Sequence, residues 1–301
     1  MLDLHRLWLL RELHLRGTLA AVAEAHSYSP SAVSQQLKVL EAEAGVALLE
    51  PVGRRVRLTR PAERLVEHTE AILAILEGAR ADLDSAHSAI AGTVRIAVFQ
   101  TAAHALLPPA LDALGASFPE LRVLVSDREP ETALPALVAG EFDLVLLEEY
   151  PALPQRRRPD IQYHHLMADP IQLAQPGDHP YSGLEELADR PWIMEPAGSL
   201  ARAWAITVCR NAGFEPDVRY ETSDLLLHTH LVRTGHAVAF LPALLSVHDD
   251  PAIRLDPLPG QPTRRISVAT RRGASEHPAL KAIRQVLGSV AKTGDPGQRQ
   301  R

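Results

Sequence analysis

Three features of the sequence predict an α/β protein in three parts: a small helical head closed by a hairpin, one long helix, and a body of alternating strands and helices. The head is read from Thr18 to Gly45, TLAAVAEAHSYSPSAVSQQLKVLEAEAG, which has the form of two short helices joined by a tight polar turn. The long helix is read from a heptad of apolar or small residues that persists from Leu65 to Ile90. The body is read from short apolar runs, TVRIAVF and FDLVLLE among them, that alternate with helical patterns. That order implies a parallel sheet with crossover connections.

In the head, Leu4 to Leu15 forms a first helix with Leu4, Leu7, Trp8, Leu10 and Leu15 as apolar contacts, and Gly17 stops it. The third helix starts at Ser29-Pro30. A serine hydroxyl accepts from the orphan N–H groups of a helix start, and proline at the first position gives up an N–H that has no partner there. Val33, Leu37, Leu40 and Ala44 then form one buried stripe. A different face carries Ser31, Ser34, Gln35 and Lys38, the short, hydrogen-bonding and cationic set that a helix in a DNA major groove needs. Taken alone, this pattern equally fits an amphipathic hairpin with a solvated side.

The next residues favour DNA. Val52-Gly53 reads as a turn, and Arg55, Val56, Arg57 and Leu58 alternate with the period of a half-buried strand. Two helices and a hairpin tipped by Arg54 and Arg55 describe a winged helix–turn–helix, whose wing arginines would meet phosphate or the minor groove. The plainer alternative is a solvated arginine-rich hairpin.

From Pro61 to about Ile90 one helix is expected. Leu65, Thr69, Ile72, Leu76, Ala79, Leu83, Ala86 and Ile90 follow one another at alternating steps of four and three. Such a seam must be buried, either against a second copy of the chain or against the chain's own body. Beyond Ala91-Gly92, strands are expected at Thr93–Phe99, Val123–Asp127 and Phe142–Glu148, with helices at Thr101–Phe118 and Glu131–Ala139 between them. A second α/β unit follows. Its expected strands are Gln162–Leu166, Pro170–Ala174, Trp192–Met194, Val218–Glu221 and Ala237–Leu241, and its helices Leu200–Ala212 and Asp224–Arg233. A strand RISVAT and a helix His277–Val290 close the body, and the tail TGDPGQRQR reads as disordered.

A net charge of −6 weighs against nucleic acid until its distribution is read. Residues 1–65 hold nine Lys/Arg against seven Asp/Glu, so the remainder holds 22 against 30. A mildly basic head on an acidic body fits contact with DNA by the head alone. Cys209 is the sole cysteine, which excludes an internal disulfide and a two-cysteine redox switch within one chain. It is read as a small buried hydrophobe. No apolar run of about 18 residues occurs, and charges interrupt MLDLHRLWLLREL, so neither a membrane span nor a signal peptide is expected and the protein is expected in the cytoplasm. The sequence lacks GxSxG, P-loop, HExxH and dinucleotide motifs, so no enzyme and no cofactor are expected. His164-His165 and the pair His228 and His230 resemble metal ligands, but zinc needs three or four converging groups, and these are read as isolated histidines.

These residues together resemble the LysR-type transcriptional regulators. The sharpest match is GTLAAVAEAHSYSPSAVSQQLKVLEAEAGVALLE followed by GRRVRLT, where Ala20, Ala21, Ser34, Leu40, Glu41, Gly45, Leu48, Leu58 and Thr59 fit the family pattern. Looser matches are RIAVFQTAAHALLPPAL, FDLVLLEE, WIMEPAGS and GHAVAFLP. Departures are His26 and Leu49, where the family usually has leucine and phenylalanine, Pro51 for a common arginine, and Ala62 for a common glycine.

The resemblance implies a winged helix–turn–helix over residues 1–60 and a dimerising linker helix over 61–90. A two-lobed, periplasmic-binding-protein-like (type 2) effector domain is then expected over 91–292, with 293–301 as a tail. By resemblance, lobe I comprises 91–160 and 266–292, and lobe II 161–265. It also implies double-stranded DNA, a small-molecule effector and other copies of the chain as partners, as a dimer and often a tetramer. The family's DNA contacts fall on Pro30, Ser31, Ser34, Gln35 and Lys38, with Arg54 and Arg55 on the wing. Gln35 is the expected base reader, because its amide bonds an adenine edge in two places.

Ligands of open α/β sheets sit beyond the carboxyl ends of the strands. That rule and the resemblance select Gln100, Thr101, Glu148, Pro196, Ser199, Ser223 and Phe240 as effector contacts. Thr101 is expected to cap the following helix and Ser223 to begin another, and Glu148 and Glu149 either face an amine or face solvent. The competing reading is a cytoplasmic small-molecule-binding protein, or an enzyme on the binding-protein fold, with no role on DNA. It leaves the winged helix and the linker unexplained.

Overall fold

Local signals set the ends of the head's helices. The computed structural model describes residues 1–53, 55–85, 90–153, 157–177, 183–245 and 250–293. α1 (Leu4–Arg16) starts at Asp3, whose carboxylate accepts from the Arg6 N–H, and ends at Gly17 with φ 75°. α2 (Leu19–Ala25) is capped by Thr18. α3 (Pro30–Ala44) is capped by Ser29, whose hydroxyl accepts from the Ala32 N–H. Val33, Leu37 and Leu40 are buried with Leu7, Leu10, Leu13 and Val22 in one small core. β1 (Leu49–Val52) and β2 (Arg55–Leu58) form the antiparallel wing. Glu41 anchors it to α3 by accepting from the Leu48 and Leu49 N–H groups.

The head also holds a buried carboxylate. Glu12 is fully buried and meets Arg11, Arg16 and Nε2 of His26, the last at 2.8 Å. His26 packs edge-on against Trp8. A buried acid needs hydrogen-bonding partners, which accounts for histidine where the family usually has leucine.

α4 (Arg60–Ser85) has two working faces. One lies on the chain's own body, where Glu77 accepts from Arg271 at 2.6 Å and His277 meets Asp84 at 3.1 Å. The other exposes Ile72, Ile75, Leu76 and Leu83. Both burial partners foreseen for the heptad therefore have a face available, and Ala86 lies outside the described residues.

In the body, β3 (Gly92–Val98) leads to α5 (Gln100–Ser117), β4 (Leu121–Asp127), α6 (Pro130–Val138) and β5 (Leu144–Glu149). β3 runs parallel to β4 and β5. The second lobe follows with β6 (Ile161–Pro176), β7 (Pro191–Met194), α7 (Leu200–Asn211), β8 (Asp217–Glu221), α8 (Leu225–Arg233), β9 (Ala239–Pro242) and β10 (Ile253–Pro257). β11 (Thr263–Arg271) and α9 (Pro278–Thr293) return to the first.

Two expectations need correction. The sheet is mixed, because β11 pairs antiparallel with both β5 and β6. Gln162–Leu166 and Pro170–Ala174 belong to one continuous strand. The amino half of β6 pairs with β11 and the other half with β9 and β10, so a single strand serves both lobes. α5 and α9 cover one face of the first-lobe sheet through Leu106, Leu280 and Ile283, and α6 covers the other through Ala133 and Leu137. The second lobe is built on Trp192, Trp204, Cys209 and Val238.

Two arginines converge on the carboxyl end of α6. Arg11 of α1 donates to the Val138 carbonyl, and Arg271 donates to the carbonyls of Leu137 at 3.0 Å and Phe142 at 2.6 Å. The last carbonyls of a helix lack intrahelical partners and favour cations.

Gly273 lets α4 seat on the body. A β-carbon there would stand 2.1 Å from the carbonyl oxygen of Ala74. Gly273→Ala is expected to lower unfolding free energy by about 1–3 kcal/mol through overpacking. Urea denaturation measures the loss, and faster amide exchange in α4 would place it there.

Candidate nucleic-acid interface and effector cleft

The burial of Val33, Leu37 and Leu40 turns the opposite side of α3 outward. Pro30, Ser31, Gln35 and Lys38 are exposed and Ser34 is half-buried. The Ser31 hydroxyl lies 3.0 Å from that of Ser29, so it belongs to the helix start. On the wing, Val52 pairs with Arg55 across the turn. Arg54 and the side chain of Arg55 lie outside the described residues. Arg57 is occupied by Glu50 at 2.7 Å. Pro51 faces Val56 in this two-stranded sheet, so no cation stands where the family commonly has arginine.

The cleft between the lobes is organised by Arg264 of β11, which is 2% exposed. Its Nε donates to Asp169 at 2.8 Å, its Nη1 to Glu148, and its Nη2 to the Thr101 hydroxyl at 2.7 Å. Burial alone would lower the guanidinium's pKa, but Glu148 and Asp169 hold it above its ordinary value. Burial raises the pKa of both carboxyls, against the pull of Arg264. Thr101 does not cap α5 as expected, for the cap residue is Phe99, which makes no side-chain bond, and the Thr101 hydroxyl is spent on Arg264.

First-lobe side chains close the helix starts of the second lobe. The Gln100 amide donates to Asp224 at 3.0 Å and accepts from the Leu225 N–H at 2.8 Å. Glu131 accepts from the Leu200 N–H at 2.9 Å. Asp224, and not Ser223, begins α8, because its carboxylate accepts from the Leu226 N–H.

Beside Arg264 is a cavity that it lines with Tyr150, Ile193, Glu195, Trp204, His228 and Phe240, among others. Trp204 stacks edge-on with Phe240 at 5.3 Å and lies 5.7 Å from Tyr150. The cavity's volume is about 30 Å³.

Of the expected contacts, Phe240 lines this space and Glu148 borders it through Arg264 and Tyr150, whose hydroxyl donates to Glu148 at 3.2 Å. Gln100 and Thr101 stand at the lobe contact. Pro196 and Ser223 are exposed, and Ser199 caps α7. Glu149, half-buried, is paired with Arg157 at 3.0 Å. Trp204, His228, Glu195, Asp169 and Arg264 were not foreseen. WIMEP placed Glu195 at a strand end, which is the one signal that could have found it.

The histidine pairs separate. His164 meets Ser275 and Arg284, while His228 Nε2 donates to the Thr222 carbonyl at 2.9 Å. No three metal-ligating groups converge among the described residues. The Cys209 thiol is buried and pushed up to about 12 by that burial, which suits packing and not thiolate chemistry.

The cleft is acidic. Burial, then Glu148, raises Glu195 to about 8, and burial, then Glu148 and Glu131, raises Glu129 to about 7. Groups raised in the fold bind protons that the unfolded chain has released, so their contribution to stability falls as pH rises. Between about pH 5 and 8, the wild type is expected to lose stability relative to a Glu129→Gln, Glu195→Gln double variant. Urea midpoints across that range check this, and parallel curves for the two proteins would refute it.

Two family models cover most of the chain. The bacterial regulatory helix–turn–helix protein, lysR family, matches residues 4–63, and the LysR substrate binding domain matches residues 87–292. The transcriptional dual regulator GltC of Bacillus subtilis is 29% identical over 217 residues, covering 70% of this chain and 71% of its own. A full-length OxyR structure from Pseudomonas aeruginosa superposes with TM-score 0.64 at 21% identity, covering 97% of this chain and 95% of that one. Full-length CbnR complexed with its target DNA superposes with TM-score 0.53 at 22% identity, covering 96% and 100%. Among the described residues, no helix is long and apolar enough to cross a membrane. With the winged helix at one end and the two-lobed domain behind it, the chain belongs to the LysR family of DNA-binding transcriptional regulators with an effector-binding domain.

Proposed function

We propose that this regulator acts in the cytoplasm as an oligomer built on a homodimer joined through α4. It reads an operator with Gln35 of α3 and responds to a small molecule held in the cleft against the aromatic wall of Trp204 and Phe240. The observation that carries the reading is the exposed apolar row of α4. Ile72, Leu76 and Leu83 are 40%, 46% and 70% exposed on a helix whose opposite face is already packed. An apolar row at heptad spacing is the seam of a two-helix contact. Two α3 helices would then meet half-sites about one helical turn apart, or a multiple of it.

On the DNA face, Gln35 and Lys38 make no hydrogen bond or ion pair among the described residues and are free to meet a duplex. Lys38, with the arginines expected on the wing, suits phosphate, and Pro30, Ser31 and Ser34 bring the helix start close to the backbone. A gel shift with the DNA upstream of the protein's own gene tests the whole reading. No shift at low salt by a protein that still dimerises would return it to the class of binding proteins with no role on DNA.

Gln35→Ala is expected to cost about 1–3 kcal/mol of discrimination at one base position. A selection assay shows this as relaxed preference at that position, and an unchanged preference would remove Gln35 from base reading.

Leu76→Glu with Leu83→Glu is expected to shift sedimentation toward monomer and weaken operator binding while leaving the thermal unfolding of the body in place. A dimer that survives both changes would place the interface elsewhere.

A further inference from the structure

We infer that the cleft selects a protonated amine or guanidine bearing an apolar group. The cation would sit between Glu195 and Nδ1 of His228, and the apolar part against Trp204 and Phe240. This rests on the reading of the cleft as the effector site and adds the chemical class of the effector.

Four carboxylates, Glu129, Glu131, Glu148 and Glu195, lie within electrostatic reach of one another in the cleft. Arg264 is the cation already there, but Glu148 and Asp169 both claim it. Glu131 is engaged by the Leu200 N–H. Glu129 and Glu195 are left without a hydrogen-bond or ion-pair partner for their carboxyls among the described residues. The independent observation is His228. It is 2% exposed and lines the same cavity, and its Nδ1 is buried without a partner. Because Nε2 carries the proton given to the Thr222 carbonyl, Nδ1 presents a lone pair. A guest must therefore bring an N–H or O–H donor to Nδ1 and positive charge to Glu195. An ammonium or guanidinium brings both, and the faces of Trp204, Tyr150 and Phe240 add attraction for a cation.

An anion would meet uncompensated acids, and a neutral guest would leave them protonated or unpaired. As it stands, the cavity holds about a water or two. A larger guest must widen the cavity, which Arg264 of β11 lines together with Trp204 and His228 of the second lobe.

Benzylamine, benzyl alcohol and benzoate share one carbon skeleton and differ in charge at neutral pH. Calorimetric titration into the full-length protein should show benzylamine binding about tenfold or more tightly than the other two, a difference set by charge. Protons should leave the protein on binding, since Glu195 ionises beside the guest, and titrations in buffers of different ionisation enthalpy read that release. Glu195→Gln should weaken benzylamine about tenfold and leave benzyl alcohol unchanged, which also reports that the variant is folded.

Equal or tighter binding of benzoate or benzyl alcohol overturns the inference. So does undiminished amine binding by Glu195→Gln, or no binding by benzylamine, phenethylamine and agmatine alike. A gel shift with each compound separates this inference from the reading beneath it. If benzylamine binds without changing DNA affinity, the chemistry stands and the regulatory reading fails. If benzoate changes DNA affinity, the regulatory reading stands and this inference fails.

Discussion

The buried guanidinium of Arg264 is the constraint around which the effector domain is arranged. It draws groups from four elements to one point: Glu148 at the end of β5, Asp169 in β6, Thr101 at the start of α5, and its own strand β11. Two carboxylates and one guanidinium cannot be taken from water without close mutual contact, and removing one partner from such a buried set commonly costs about 3–5 kcal/mol. The strand ends, the first turn of α5 and the crossing to the second lobe are therefore held in one arrangement. What remains of the cleft's charge is then acidic, because Arg264, the one buried cation there among the described residues, is already shared.

The head was legible because its signals are local. Gly17, Thr18, Ser29 and Pro30 each do at their position what their chemistry dictates, and the stripe Val33, Leu37 and Leu40 is buried as the period requires. Sequence likewise showed the strands and helices of the body, since their apolar periods differ, with the exception of β10, which pairs with β6 and was not expected. It did not show that Gln162–Leu166 and Pro170–Ala174 are one strand. Residues 167–169 fall between the two expected strands, yet Asp169 turns inward to Arg264 and the strand continues.

The site was less legible for a similar reason. Arg264 and Arg265 are indistinguishable as letters, and only pairing across β5 and β6 decides which one is buried. Phe240 and Glu148 were found from strand ends. His228 and Trp204 come from helix faces whose direction depends on how the second lobe closes. Ser223 and Asp224 are neighbouring cap candidates, and the lobe contact from Gln100 goes to Asp224.

α6 is a nine-residue rod about 13 Å long. At one end Glu131 crosses the cleft to the second lobe. At the other, its last carbonyls are held by Arg271, which also grips Glu77 of the linker helix, and by Arg11 of the first helix of the head. A short helix does not compress, so any shift of its cleft end that the sheet permits must be delivered to both arginines. The three parts of the chain thus share one push-rod. α6 thus links the edge of the cleft to the linker helix and to the head by one rigid element.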